Sequence, residues 1–559
     1  MKIKLCLAFF FGSVSTTVNL SAQAIPDSTI KKIDSLFIKW NNANSPGCTV
    51  GIVRNDSLIF SKGYGLANLE YAIPNAPATL FHMASVSKQF TAYAIVLLAA
   101  KGKLHLDDDV RKWLSWFPDL KEKITIRHLL NHTSGIRDQW QLLAISGTRL
   151  DDVITQEHIV KILSQQRELN FKPGEKYSYS NSGFTMLAEI VKSVSGQTLR
   201  AFTDSAIFKP LGMSNTHFHD DYTEIEKNRS YSYDRKDSAH FSNSILSYSN
   251  AGATSLFTNI PDLSKWAMNF YNHKVGTQKE IDQLTQTGKL NSGKELTYAL
   301  GIAVDKYKGW RQYSHGGADA GYRTYLSVFP DLKMGFMVFS NLGDFNTGAG
   351  VYGIADLFLK DSTQKKEAKK EPRDSIAAIL KDSLSMKKFL GDYIGDDGLP
   401  FSFDIKGGKL YYHIYDDNNF LIKELKDTFS IPAAPEIKFL FGIKAKDTTV
   451  DIFTPDQLYH LKKYVKDTSQ TDEVLKKYTG IYYCPELDCK YGIALKDHHL
   501  MLTNAKYNDT KLTIVSSEHL TNDNWWINHL LMIRDSKNNI TGFEVNSGRI
   551  MHLKFNKIK

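Results

Sequence analysis

The sequence predicts an α+β fold: an antiparallel sheet flanked by helices, with a helical subdomain, followed by two small all-β barrel-like domains. Three observations predict it. β-Hairpin patterns stand at both ends of the first 360 or so residues, with helical patterns between them. A polar, charged stretch at residues 361–373, "DSTQKKEAKKEPR", then interrupts the apolar patterning. Beyond it a short pattern occurs twice, at an offset of 89 residues.

The first 24 residues carry Lys2 and Lys4, then an apolar run, then Ala22-Gln23-Ala24. This is the order of a secretory signal peptide cleaved after Ala24. The run is short of the ~20 residues a membrane span needs. Cys6 lies too early for lipid attachment. Export to the periplasm or the exterior is the expectation, with no transmembrane span in the mature chain.

The next elements follow from local chemistry. "TVGIVRNDSLIFSKGYG" alternates around Asn55-Asp56 and predicts a hairpin. "RTYLSVFPDLKMGFMVFSN" predicts another, turning at "PDLK". Between them, Lys88 to Lys101, "ITIRHLLNH", "GFTMLAEIVKSVSG" and "IPDLSKWAMNFYNH" have helical patterning. Hairpins at the two ends predict one sheet closed by both ends of the domain. After the linker, "MKKFLGDY" from Met386 matches "LKKYTGIY" from Leu475, so Gly391 maps to Gly480 and Tyr393 to Tyr482. "FDIKGGKL" from Phe403 matches "IALKDHHL" from Ile493 after one inserted residue. Both copies alternate apolar and polar residues and are broken by Gly, Asn and Asp, which predicts two small barrels or sandwiches. The division is residues 1–24 leader, 25–360 α+β domain, 361–385 linker, 386–470 first β domain and 471–559 second.

Composition sets limits. A chain of 559 residues exceeds one core, and 42% hydrophobic residues suffice for several. The net charge is +9; removing residues 1–24 takes two lysines and no acid, leaving +7. The cations are interspersed with acids, which disfavours nucleic-acid binding. No CxxC pair or zinc-type cluster stands out, and no cofactor is implied. His128 and His132 in "RHLLNHTSG" lack the glutamate of the metalloprotease pattern and are assigned to packing or capping. Cys48 is assigned to a core. Cys484 and Cys489 bracket "PELD", and a disulfide and two free thiols both remain open.

Three segments carry chemistry. In "FHMASVSKQFTAYAIVLLAAKGKL", Ser85 precedes Lys88 by three residues, and an apolar run follows. On a helix starting near Ser85 the two share a face. Burial would lower the Lys88 pKa and make it a base for Ser85. Alone, the pair reads equally as a capping serine and a snorkelling lysine. In "FKPGEKYSYSNSGFTMLAEI", Tyr179 is a second base or proton shuttle if positive charge lowers its pKa, and Asn181 either contacts substrate or orients Lys88. In "QYSHGGADAGYRTYLSVFP", His315, Gly316, Gly317 and Ala318 open a strand, and the Ala318 N–H can join that of Ser85 as an oxyanion hole.

Together, residues ~30–350 resemble the serine β-lactamase-related hydrolases of the penicillin-binding-protein superfamily, nearest to the class C β-lactamase, D-aminopeptidase and carboxylesterase branch. "LHLDDDVRKWL", "ITIRHLLNHTSGI", "KPLGMSNTHF" and "GATSLFTNIPDLSKW" are similar to segments of that family. The resemblance implies Ser85 as acylated nucleophile, Lys88 and Tyr179 as base and proton relay, Asn181 as a polar contact, and His315 and Gly317 along the cleft. Where true β-lactamases have Lys-Thr-Gly, this chain has His315-Gly316-Gly317. A neutral imidazole anchors a carboxylate poorly. This points to esters, amides or D-amino-acid peptides, cell-wall peptides among them, rather than efficient β-lactam turnover. The alternatives are a weak β-lactamase, or a β-lactam- or peptide-binding sensor that is acylated without turnover. Arg323 is a candidate replacement anchor whose direction the sequence leaves open.

Overall fold

The computed structural model describes residues 25–360 and 386–558, apart from residues 396–397, 399, 415–416, 426, 432–433, 445–446, 454–457 and 466–469. The leader at 1–24 and the linker at 361–385 lie outside the described residues. Among the described residues no helix is long and apolar enough to cross a membrane.

Six antiparallel strands form the central sheet. Their order is Ala303–Tyr307, Trp310–Asp319, Tyr322–Phe329, Met334–Ser340, Cys48–Arg54 and Ser57–Tyr64. The first hairpin turns at Asn55, whose φ of 53° is the left-handed conformation asparagine tolerates. The second hairpin turns through Pro330–Leu332 and Lys333, at φ 48°. The two hairpins meet in mid-sheet, with Val50 opposite Val338 and Ile52 opposite Phe336, so both ends of the domain close one sheet.

Every residue of Met334–Ser340 is buried, because both sheet faces are covered. Val50, Ile52, Phe336 and Val338 pack with Phe37 of helix Asp27–Phe37 and Val351 and Ile354 of helix Thr347–Phe358. The alternate residues Val53, Met337 and Phe339 join Ile260, Leu263 and Ala267 of helix Ile260–Asn272 and the helical subdomain. At the centre of that second core, helix Ser87–Ala100 is buried at every residue from Ser87 to Leu98.

The C-terminal region comprises two all-β, barrel-like units. Eight strands from Gly391–Gly395 to Leu458–Tyr464 close into a barrel with its own core. Nine strands between Gly480–Cys484 and Ile550–Lys557 form the second sheet. The duplication extends to structural detail. Gly391 and Gly480 both hold positive φ, at 122° and 151°, and each starts a strand. Two residues on, the Tyr393 hydroxyl donates to the Phe389 carbonyl at 2.9 Å, and the Tyr482 hydroxyl to the Tyr478 carbonyl at 2.6 Å. Gly391 pairs with Phe403 and Gly480 with Ile493, so the inserted residue falls in the connection between strands.

The two units differ in their relation to the α+β domain. The barrel core is self-contained, whereas the buried residues of the second sheet are continuous with the helical core. Tyr491 donates to Ile145 O at 3.1 Å, and Tyr507 lies 2.9 Å from Ala144 O. Arg137 is fully buried; its Nη1 donates to Glu486 at 2.5 Å and its Nε to the Met551 carbonyl at 3.0 Å. The two β units thus differ in whether their buried residues run on into the helical core. Cys484 and Cys489 face each other across adjacent strands as free, buried thiols in hydrogen-bond contact. The disulfide left open by their spacing is not formed here.

Glu486→Ala leaves the Arg137 guanidinium buried and unpaired, a loss of about 3–5 kcal/mol. Urea unfolding followed by tryptophan fluorescence is expected to show it, and Glu486→Met combined with Arg137→Met to cost much less. Equal losses would mean that packing, not charge, holds the second sheet in place.

Candidate active site

Ser85 sits in a 3₁₀ turn, Ala84–Val86, and the α-helix begins at Ser87 rather than near Ser85. The i, i+3 contact survives because the turn runs straight into the helix through Val86 and Ser87, both right-handed. Ala84 has φ 48°, a conformation that costs a residue with a Cβ about 1–2 kcal/mol. Its neighbours fix it there. The Ala84 N–H donates to His82 Nδ1 at 3.2 Å, and Ser87 Oγ donates to the Ala84 carbonyl at 2.5 Å. Thr324 Oγ1 donates to the Met83 carbonyl at 2.8 Å, tying the turn to the sheet.

Gly317 is where strand Trp310–Asp319 passes that turn. A Cβ there would lie 2.4 Å from both the Met83 carbonyl oxygen and Thr324 Oγ1. Only glycine lets the strand approach this closely, which brings Gly317 and Ala318 into the wall of the same cleft as Ser85.

Lys88 is wholly buried, and its Nζ has three partners: Ser85 Oγ at 3.0 Å, Asn181 Oδ1 at 2.9 Å and the Ala253 carbonyl at 2.7 Å. Burial lowers its pKa to about 7; Asp319 and Asp138 oppose that shift and Arg549 assists it. A neutral amine has two N–H groups and one lone pair. The two carbonyl oxygens, Asn181 Oδ1 and Ala253 O, can only accept, so they take the two N–H groups. The lone pair is left facing the Ser85 hydroxyl, which is the geometry a base requires.

Asn181, the first residue of helix Asn181–Ser195, is itself held. Its backbone N–H and Nδ2 both donate to Asp138 Oδ2, each at 2.8 Å. With Oδ1 facing Lys88, the side chain orients the amine, one of the two roles open at the sequence level. Asp138 is buried, and its other oxygen caps helix Gln139–Ser146 by accepting from Trp140 N at 3.0 Å.

Tyr179 lies beside Ser85 and Lys88, with the Lys88 amine 4.9 Å from its ring. Its hydroxyl is buried without an aligned hydrogen bond. Its pKa is raised, not lowered: burial outweighs the hydrogen-bonding effect of Ser85 and the charge of Arg549. The condition under which Tyr179 would serve as a base, a phenol acidified by positive charge, is opposed by its burial. Under its ring, 4.1 Å away, lies His132, whose Nδ1 accepts from Ser180 N at 3.1 Å. His128 caps a helix through Thr125. Both histidines have the structural roles assigned to them.

On the opposite wall His315 is buried, and its pKa is lowered to about 4 by burial and then by Lys88. Nδ1 donates to the Gly316 carbonyl at 2.6 Å, so Nε2 accepts from the Tyr298 hydroxyl at 2.8 Å. The ring is neutral and has both nitrogens occupied. Arg323 lines the cleft, but its Nη1 is spent on the carbonyls of Ala320 and Tyr322, at 2.8 and 2.7 Å. Asp319, bonded to Thr254, is raised in pKa by burial.

Ser85, Tyr179, Asn181, His315, Gly317 and Ala318 thus line one cleft of about 720 Å³, with Lys88 directly behind Ser85. Among the described residues no metal-ligating cluster lines it. Sequence reasoning missed Asp138, Trp140 and Arg549. Arg549 comes from the turn joining the last two strands of the second β sheet. Gln141 Oε1 accepts from its backbone N–H at 2.8 Å, and Asn170 Nδ2 donates to its carbonyl at 2.8 Å. The guanidinium stands 4.8 Å over the Tyr179 ring and 3.7 Å from Asp138, and it makes no side-chain hydrogen bond among the described residues.

The family model described as Beta-lactamase matches residues 33–357. Penicillin-binding protein 4* of Bacillus subtilis (strain 168) is 25% identical over 69% of this chain and 87% of its own length. A D-aminopeptidase of Gluconobacter oxydans is 26% identical over 53% of this chain, and one of Brucella anthropi 28% over 56%. The matches span 56% and 58% of those two relatives' own lengths. Among solved structures, an octameric penicillin-binding protein homologue from Pyrococcus abyssi superposes with a TM-score of 0.55, at 23% identity, over 78% of this chain and all of its own. SurE does so at 0.53, with 20% identity, over 78% of this chain and 99% of its own. At these identities the two likenesses establish the fold.

The charges around Lys88 give a signed expectation. Asp319→Asn removes an anion that favours the ammonium and moves the titration near pH 7 downwards; Arg549→Ala removes a cation and moves it upwards. NMR of ¹⁵N-labelled lysine, with Lys88 assigned through Lys88→Met, measures both. Shifts of the same sign would refute the electrostatic assignment.

Proposed function

Because the chain belongs to the beta-lactamase family, we propose that it is an exported serine hydrolase working through an acyl-enzyme on Ser85, with D-amino-acid-containing peptides, amides or esters as substrates. The observation that carries this reading is Lys88 Nζ lying 3.0 Å from Ser85 Oγ, with Asn181 Oδ1 and the Ala253 carbonyl as its two other partners, so that the neutral amine turns its lone pair to the hydroxyl. Lys88 takes the hydroxyl proton as Oγ bonds to the substrate carbonyl carbon. The carbonyl oxygen becomes an oxyanion, received by the backbone N–H groups of Ser85 and Ala318. As the tetrahedral species collapses, the bond to the leaving amine or alcohol breaks. Tyr179 gives its proton to that group and regains one from the Lys88 ammonium. Water then attacks the acyl-enzyme, its proton passes back to Ser85 Oγ through the same pair, and the acid product departs. No resident metal or organic cofactor takes part in these steps.

Substrate choice rests on the cations in the cleft. His315, neutral and with both nitrogens occupied, offers a carboxylate no charge. The guanidinium of Arg549 does, with its donors unspent. D-aminopeptidases among the relatives support the D-amino-acid class. An acyl donor gains where its carboxylate reaches the Arg549 side of the cleft and gains nothing where, as for a β-lactam in the family pattern, the carboxylate is presented to His315; cell-wall peptides are one source of the former. The lysine-bearing leader supports export.

Ser85→Ala is expected to abolish acylation by mass spectrometry, and Lys88→Arg to be nearly inactive, since arginine keeps its proton. For the wild type, kcat/KM for a D-alanyl anilide or a p-nitrophenyl ester should exceed that for a chromogenic cephalosporin. Measured at pH 9, above the Lys88 titration, Arg549→Ala should lower kcat/KM for a succinylated ester at least ~10-fold more than for its neutral analogue, the range of one charge-assisted hydrogen bond. A dominant cephalosporin activity, or full activity in Ser85→Ala, would overturn the reading. A burst without turnover would mark an acylated sensor instead.

A further inference from the structure

His217 and His219 flank Phe218 at a short strand, His217–Phe218, which pairs with Leu256–Thr258. Alternation sends Phe218 into the core and both imidazoles to the other face. The connection that follows brings back Glu224 and Glu226. Four donor atoms, two nitrogens and two carboxylate oxygens, lie within 4.8 Å of one another. Glu226 Oε1 is 2.7 Å from His217 Nε2 and 3.3 Å from His219 Nδ1, and Glu224 Oε2 is 3.8 Å from His219 Nδ1.

We propose that His217, His219 and Glu226, with Glu224 as the fourth ligand, form a structural site for a divalent metal of the zinc class. The donor set is the first argument: two imidazoles and carboxylates suit zinc, where oxygen-only clusters suit magnesium or calcium. The spacing is the second. Zinc bonds of ~2.0–2.1 Å in a tetrahedron set ligand atoms roughly 3.3 Å apart; the pairs here stand at 2.7, 3.3 and 3.8 Å, and all four atoms lie within 4.8 Å. The third is direction. His217 Nε2 is buried and makes no aligned hydrogen bond, although Glu226 Oε1 lies 2.7 Å away. His219 Nδ1, by contrast, is hydrogen-bonded to Glu226 Oε1 at 3.3 Å, a partner that Glu226 would exchange for the metal. The surroundings match a metal's outer shell as well. Arg200 grips Glu224 with both ends of its guanidinium, at 2.5 and 2.8 Å, and Asp220 at 3.0 Å. Side-chain exposures are 3% for His219 and 8% for Glu226, against 18% for His217 and 35% for Glu224, so the cluster is closed on the core side and open on the other. A cavity of about 610 Å³ lined by Glu224 and Glu226 gives access.

The site is a brace rather than part of the reaction, since none of its ligands lines the Ser85 cleft. Leu256–Thr258 pairs on its other edge with Phe81–His82, three residues before Ser85. A metal here pins residues 217–226 to the strands under the nucleophile turn. This departs from the metal-free expectation of the sequence, which did not single out His217 or His219.

The test uses the full chain, stripped with EDTA and dialysed. Zinc titration by calorimetry is expected to give one equivalent. Cobalt should give the intense visible bands of a tetrahedral site, and Tm should rise with either metal. The double variant His217→Ala/His219→Ala should bind at least ~100-fold more weakly and lose the metal-dependent Tm rise. Glu226→Gln, nearly the same size, should do the same if the double variant does not fold. Wild-type protein that binds no stoichiometric metal and keeps its Tm would show a hydrogen-bonded His–Glu–His cluster only and overturn the proposal. Undiminished binding in the folded variants would place the metal elsewhere and overturn it equally.

Discussion

The burial of one amine organises the site. Taking the Lys88 ammonium out of water is unfavourable enough to bring its pKa to about 7. The buried amine persists because three oxygens satisfy it. Each of those oxygens must in turn be fixed. Asn181 is fixed by Asp138, and Asp138 by the start of helix Gln139–Ser146. That helix is where the second β sheet docks, through Gln141, Ala144 and Ile145. Placement of the base and attachment of the C-terminal sheet are therefore consecutive links of one hydrogen-bonded series.

What was legible in the sequence was local. Ser85 and Lys88 are three residues apart, and continuous right-handed turns bring them together even though the α-helix starts later. The hairpins at Asn55 and Lys333 and the duplicated Gly–Tyr device also depend on neighbouring residues, and they are present; the closure of the sheet, which pairs Val50 with the distant Val338, was legible only through where the two hairpins fall. Gly317 was legible as a point of close approach, though not what approaches it. The misses come from contacts distant along the chain. Arg549 reaches Tyr179, and Glu486 reaches Arg137, across hundreds of residues with no shared periodicity. The direction of the Tyr179 shift was missed for a related reason. Its burial by His132 and Tyr298 is a tertiary fact, and desolvation exceeds the effect of the nearby cations.

The cleft is also a study in which charges remain available. His315 stands where a cation would be most useful to an anionic substrate, and it is neutral. Arg323 points its guanidinium at its own backbone. Asp319 shares its carboxylate with Thr254. Arg549 keeps its donors free because its position is secured through its backbone, on Gln141 and Asn170, and not through its side chain. A positive charge held in this way need only turn from Asp138 and the Tyr179 ring to meet a ligand, its backbone being already in place, which is the physical content of preorganisation.

The origin of Arg549 has a thermal consequence. The hairpin tip that delivers it is held at the cleft by hydrogen bonds to Gln141 and Asn170, at the end of a sheet whose buried residues continue into the core around the Ser85 turn. Segments with smaller contact areas open at lower free energy than the whole structure. Warming, or a substitution remote from Ser85, can thus release the tip while the nucleophile and its base stay folded. The molecule would then retain its capacity for acyl transfer and lose its preference among acyl donors, so selectivity and catalysis would have separate melting points.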